Sequence, residues 1–493
     1  MNRHRMGPRV DILHALTVGV CTVIVSCFAG LIPAGHWQDE FFTFAAFRKG
    51  GLQFYVERLL TWSPRPVSEL LIYAYARVVG FFGRPLITPV LVLLWMTLIA
   101  GASIAVVSSA RAGRATRRTM LVIVAGAVAL FLLGHPVSEV FYWPQGSMAY
   151  IPTLAVLVML FGLFLVGVDS RSLRVACAVA LVLAATVSEL GAMFVAAFAG
   201  MQLVSLVVRA ALRRDSVFRN LMVRATIPWI LPLIVAAGVF VLMKYGRLNS
   251  AAEVFGDPAI AHHAYASLIH TVPQYIMELV SLDGQTLNSR NIWLGAVAKT
   301  CYFAGVYVGI RSIRQSLKAE SCVQLIMFII AIVAASFMSL FGAFYQFGVV
   351  CCERHDTMRQ CMSILLLGSI AAVLAQLGRG GAKQHDADQK PRAALAWCPA
   401  LILCAVIVSS LASGKLLAND YRRYGQFVAA RSQTWASGAA RGPAMVVTQV
   451  TPGLIVGGVV RPAGEYVRSD ETPWFLAGIL DFFGKKSMTL TSP

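Results

Sequence analysis

Runs of about twenty apolar residues, separated by short polar stretches, recur along most of this chain, which is the length a helix needs to cross a bilayer. They fall at 12–33, 86–109, 120–134, 148–168, 175–187, 190–208, 225–243, 292–310, 322–341, 361–377 and 394–413. The pattern predicts an all-α polytopic membrane protein of about eleven transmembrane helices. Two of the runs are short and meet at Ser188-Glu189, which reads as a broken helix or a tightly turned hairpin. The first run is longer than the apolar core of a secretory signal and follows Met-Asn-Arg-His-Arg. It is expected to be an uncleaved signal-anchor with the N-terminus cytoplasmic.

Between the runs lie three larger polar regions. A first external loop, 34–85, contains an apolar stretch at 67–83 that also carries Glu69, Tyr73, Tyr75 and Arg77, as an interfacial helix does. A second external loop covers 244–291. An external tail, 414–493, follows the 1–413 transmembrane domain and mixes a helix-like stretch (416–432) with a β-rich one (445–460), a small α/β ending.

Charge supports this layout. Lys and Arg total 42 against 23 Asp and Glu, a net +19 that by itself suggests nucleic acid. The basic residues are sorted, however. Arg111–Arg118, Arg171 and Arg174, Arg209–Arg224, Arg311–Lys318 and Arg379–Arg392 all fall in alternate connections, with Arg3, Arg5 and Arg9 on the same side. That is the positive-inside pattern, so basicity reports topology and no nucleic-acid partner is expected. Only 13% of residues are charged, against about 25% in soluble domains, and the mean hydropathy is +0.70. Ten cysteines form no zinc-spaced set. Cys351 and Cys352 flank an external turn where a disulfide is one option and free thiols the plainer one.

Chemistry concentrates in the predicted external parts. Trp37-Gln38-Asp39-Glu40 follows the first run, placing an acidic pair among aromatics at the lipid boundary. A carboxylate there can serve as general base; taken alone, the pair reads rather as a helix cap and first-turn acid. In Pro64-Arg65-Pro66 two prolines fix the backbone around a guanidinium suited to bidentate phosphate capture. Snorkelling at the lipid boundary explains Arg65 as well. Tyr142-Trp143-Pro144-Gln145-Gly146, with Tyr150 beyond, offers aromatic faces and an amide to a sugar ring, or an ordinary aromatic belt. Glu189, between two half-length apolar runs, and Lys299, inside one, are intramembrane charges, which usually line a cavity. Arg354 and His355 occupy an external turn, and Lys244 and Arg247 end a span externally. Walker, dinucleotide, G-x-S-x-G and H-E-x-x-H motifs do not occur.

Taken in order, Asp39-Glu40 after the first span, Arg65-Pro66-Val67-Ser68-Glu69, Tyr142-Trp143-x-x-Gly146 and the ending Pro473-Trp474-Phe475…Asp481-Phe482-Phe483-Gly484 resemble the GT-C superfamily. The chain is most similar there to bacterial O-antigen glucosyltransferases of the Gtr type, which more often carry Asp-Asp and Gly-Arg where this sequence has Asp39-Glu40 and Pro64-Arg65. The resemblance implies an inner-membrane glycosyltransferase with its active site facing the periplasm. It would move a sugar from a polyprenyl-phosphate donor to an O-antigen or other external glycan by inverting transfer. Asp39, with Glu40, would be the base; Arg65, Lys244, Arg247, Lys299, Arg354 and His355 would hold the phosphate. Trp37, Tyr142, Trp143, Gln145, Tyr150 and Glu189 would contact sugar or acceptor. No cofactor is required, though a divalent ion beside Asp39 stays open. A polymerase or ligase of lipid-linked glycans and a transporter or flippase are the alternatives.

Overall fold

A computed structural model describes residues 8–37, 40–109, 113–167, 171–212, 216–249, 256–284, 288–313, 319–350, 352–378, 391–455 and 461–493. The side chains at 8–10, 171–172, 209–212, 216–227, 247–249, 319–320 and 391–395 stand outside that description. Asp39 and Cys351, and the side chain of Arg247, therefore lie outside the described residues.

The chain is an all-α polytopic membrane protein with a little sheet. Its helices are α1 (Pro8–Gly30), α2 (Glu40–Thr61), α3 (Pro66–Phe82), α4 (Ile87–Ser108), α5 (Arg114–Phe131), α6 (Ser138–Phe141), α7 (Pro144–Val166), α8 (Arg171–Val187) and α9 (Glu189–Leu212). They continue with α10 (Ser216–Asn249), α11 (Ala264–Val280), α12 (Ser289–Ser312), α13 (Ala319–Phe347), α14 (Glu353–Leu377), α15 (Pro391–Ala439) and α16 (Trp474–Phe483). Among the described residues, nine helices are long and apolar enough to cross a membrane; α8 is apolar but shorter.

Helix α7 is the axis of the bundle. It is apolar on every side and buried along nearly its whole length, as a helix of that composition must be. Pro144 occupies its first turn, where the missing N–H costs nothing. Small residues let α4 run against it: a Cβ on Gly101 would meet the Ala155 carbonyl oxygen at 2.4 Å, and one on Gly162 the Ala105 Cβ at 2.2 Å.

The α8–α9 junction resolves as a hairpin. Phe198, nine residues into α9, stacks at 5.6 Å on Phe164 near the end of α7, so α9 runs back alongside the helix that precedes it. Helix α15 is continuous for 49 residues, about 74 Å, more than twice a bilayer core. The 413/414 division expected between span and tail thus falls inside one helix, whose far half projects beyond the bundle.

At that end the tail forms a three-stranded sheet, ordered β1 (Ala444–Thr448), β3 (Ser487–Thr491), β2 (Gly464–Val467). The β1–β3 pair is parallel and β2–β3 antiparallel. Helix α16 covers the sheet through Leu476, Leu480, Met445, Met488 and Leu490. Its Phe482 and Phe483 rings sit 5.2 and 5.3 Å from Phe41, which docks the tail on the start of α2. Cys352 is disulfide-bonded, which corrects the free-thiol expectation for that residue.

Candidate functional site

Residues from distant segments converge at the end of the bundle where α5 leads into α7. The α8–α9 tip is recessed there. Ser188 Oγ accepts from the Gly191 amide at 2.9 Å and exchanges a 2.9 Å hydrogen bond with Thr153. Thr153 is nine residues into α7, so the tip lies about 14 Å below that helix's first residue. Helix α3 packs over the tip. Held by its flanking prolines, Arg65 donates from Nε to Ser63 Oγ at 2.6 Å and pairs with Glu189 at 3.4 Å. Burial works against the guanidinium, but Glu189, Tyr150 and Glu69 together outweigh it and keep the Arg65 pKa above its ordinary value. Behind it, Arg58 grips the buried Glu69 carboxylate at 2.7 and 3.2 Å. Burial alone would raise Glu69; the Arg58 pair holds it below the usual carboxylate range.

A second arginine comes from α14. Glu139 accepts from the Arg354 backbone amide at 3.1 Å and from its Nη1 at 3.3 Å, a carboxylate at a helix N-terminus. The Arg354 guanidinium lies 5.6 Å from the Trp143 ring centre, and Glu353 accepts from Ser138 Oγ at 3.0 Å. His36 donates from Nε2 to the Ser138 carbonyl at 3.2 Å; burial pushes its imidazole down to about 4, with Glu139 opposing.

Tyr150 lies between the two arginines. Its side chain is buried, within electrostatic reach of Arg65, Glu189, Arg354 and Glu139, and packs edge-on against His355 at 5.9 Å. The phenol oxygen has no hydrogen-bond partner among the described residues. Buried hydroxyls are ordinarily bonded, which makes this oxygen a candidate contact for a ligand or a water.

A separate, deeper cluster holds Lys299. Its ammonium donates to the Glu278 carbonyl at 2.8 Å and to Gln360 Oε1 at 2.9 Å. Arg359 clasps Glu278 at 2.7 and 3.0 Å, and Asp356 accepts from the Gly284 amide at 3.3 Å. Beside Lys299 is a cavity of about 10 Å³, room for one water, lined also by His135, Gln360 and Ser409. Lys299 is thus occupied with this network and stands apart from Arg65 and Arg354, against the expectation that it holds a phosphate with them.

The remaining expected residues divide. Arg65, Glu189, Trp143, Tyr150, Arg354 and His355 come together as described. Glu40 is fully buried at the start of α2, accepting from Tyr75 at 3.3 Å. Tyr142 is a core residue rather than a sugar platform: it is fully buried and donates to the Phe28 carbonyl at 2.6 Å. Gln145 is buried, its Nε2 without a partner among the described residues. Trp37 packs on Phe41 and Trp435 at 4.8 and 6.1 Å. Lys244 is exposed near the end of α10. Glu139 and Glu278 pair with arginines 215 and 81 residues away, which sequence reasoning did not find. Among the described residues no group of three or more His, Cys, Asp and Glu side chains is placed to hold a metal ion. Compared with protein-family models, with curated proteins and with solved structures, the chain matches none.

Proposed function

We propose that this protein is a membrane glycosyltransferase that moves a sugar from a polyprenyl-phosphate donor to an external glycan. One observation carries the reading: two arginines from opposite sides, Arg65 and Arg354, flank the unpartnered Tyr150 hydroxyl at one end of the bundle. Fixed cations and a donor hydroxyl are what a leaving lipid phosphate requires as negative charge builds on it. In this reading Asp39, which immediately precedes Glu40 in the sequence, takes the proton of an acceptor hydroxyl. That oxygen bonds to the anomeric carbon while the carbon–phosphate oxygen bond breaks, and the polyprenyl phosphate departs with the electron pair. Its charge replaces Glu189 and Glu139 against Arg65 and Arg354, so the site needs no metal. Topologically the reading keeps about eleven spans, adding α5 and α8 to the nine long apolar helices. The N-terminus is cytoplasmic and the site end faces the periplasm of a bacterial inner membrane.

The experiment is mass spectrometry of lipids extracted from the purified wild type and an Asp39→Asn variant. A base-dead enzyme still binds its donor, so Asp39→Asn should retain a polyprenyl-phosphate sugar. The same variant should transfer that sugar about 10²–10⁴-fold more slowly. Full transfer by Asp39→Asn would shift the assignment to a polymerase or ligase working through its arginines alone.

A further inference from the structure

Helix α11 is inside out for a helix in an aqueous loop. Ser267, Thr271 and Glu278 are buried and Gln274 is half-buried, at successive spacings of four, three and four residues. One helical face facing the protein is therefore entirely polar. The opposite face is apolar and exposed: Tyr265 (78%), Leu268 (42%), Ile269 (50%), Val272 (44%), Ile276 (56%) and Val280 (37%). A helix bathed in water shows the reverse arrangement.

Its contacts give its depth. Near the N-terminal end, the His262 amide donates to the Tyr345 carbonyl, two residues from the end of the spanning helix α13. Further on, the Tyr275 ring lies 5.8 Å from Phe337, ten residues and about 15 Å inside α13. Glu278 meets Arg359, six residues and about 9 Å into α14. A Cβ on Gly295, equally far into α12, would lie 2.3 Å from the Val280 carbonyl oxygen. The chain has begun to turn back by Leu282, whose amide donates to the Asn291 carbonyl near the start of α12.

We infer that α11 and the described residues after it, as far as Gly284, form a re-entrant element, which dips into the membrane from the site end with its apolar face against lipid acyl chains and turns back towards the same side. Three independent neighbours put its far end about 9–15 Å in from the site-side ends of helices α12, α13 and α14. Acyl chains are the occupant that this depth selects. The adjacent spans also turn apolar side chains outward, Trp293 and Val297 on α12 and Met338 and Tyr345 on α13. Non-spanning backbone at such depth is tolerated where protein covers its polar groups, and the Ser267–Glu278 face provides that cover. The element also explains the charges inside α12 and α14: Glu278 carries down the counter-charge for Arg359, and its carbonyl receives Lys299. This inference is independent of the sugar-transfer reading.

The test is photocrosslinking in proteoliposomes, with p-benzoylphenylalanine in place of Tyr265, Val272, Ile276 or, as the aqueous reference on β2, Val467. These positions are exposed, so the photoreactive side chain leaves the core unchanged. Two phosphatidylcholines are used, one with an alkyne at the acyl terminus and one with it on the headgroup. Positions 272 and 276 should capture the acyl-terminal label, position 265 the headgroup label, and position 467 neither. Headgroup label alone at 276 would mean a helix lying on the surface and would overturn re-entry. No lipid adduct at 272 and 276, or a protein–protein adduct between two copies, would overturn the lipid-facing assignment.

Discussion

Replacing Tyr150 with Phe separates a residue that serves the fold from one that serves a ligand. The phenol ring is 1% exposed and well packed, while its oxygen has no partner among the described residues. A buried hydroxyl left unbonded costs about 1–3 kcal/mol, so removing it should leave stability unchanged or raise it. A bound phosphate changes the sign. A hydrogen bond from the phenol to a charged oxygen is worth about 1.5–3 kcal/mol, so losing it should weaken donor use by about 10- to 150-fold. Two assays on one purified variant read both quantities: fluorescence-detected size exclusion after a temperature ramp, and donor-dependent transfer in proteoliposomes. The expected pair is an unchanged or higher midpoint with a large loss of transfer. A lower midpoint with full transfer would refute the reasoning, since the hydroxyl would then be a structural donor.

Arg359→Met should strip the partner from Glu278, whose side chain is only 4% exposed, and destabilise by about 3–5 kcal/mol in the same thermal assay. Pairing it with Glu278→Met should recover most of that loss; an additive loss would contradict the ion-pair argument. Burial pushes the His135 imidazole down to about 4, with Asp283 opposing and Lys299 assisting. Because the unfolded chain takes that proton near 6.5, stability should be complete above pH 6.5 and fall by about 1.4 kcal/mol per unit towards pH 4. His135→Gln should flatten that slope in thermal scans across pH. Gly101→Ala places a methyl 2.4 Å from the Ala155 carbonyl oxygen and should cost about 1–3 kcal/mol through forced separation of α4 and α7, again read as a midpoint shift.

Helix positions were legible because lipid demands long apolar runs, and each expected run coincides with a helix, though the runs 12–33, 86–109, 120–134 and 148–168 extend past its ends. Edges were less legible. The run expected to begin at 148 opens as α7 at Pro144, since proline and glycine that look like a loop also start helices. The expected break before 416 does not occur, because Gly414 and Lys415 are tolerated inside α15. Of the site, Pro64-Arg65-Pro66 and Glu189 stood out in the sequence, and the structure pairs Arg65 with Glu189. What could not be read was pairing: Glu139 with Arg354 and Glu278 with Arg359 depend on the packing of distant helices and leave no local spacing. The polar residues of α11 did carry a signal, a stripe at 267, 271, 274 and 278, but a stripe does not say which face meets lipid. Tyr142 and Trp143 illustrate the same limit, since adjacent aromatics divided between the core and the Arg354 site.

The central claim is a new glycosidic bond. Purified protein in proteoliposomes, given polyprenyl-phosphate carrying a radiolabelled sugar and an acceptor glycan, should transfer the label to the glycan and release one free polyprenyl phosphate per sugar moved. Label that crosses the bilayer while still attached to its lipid, with no labelled glycan formed, would contradict it.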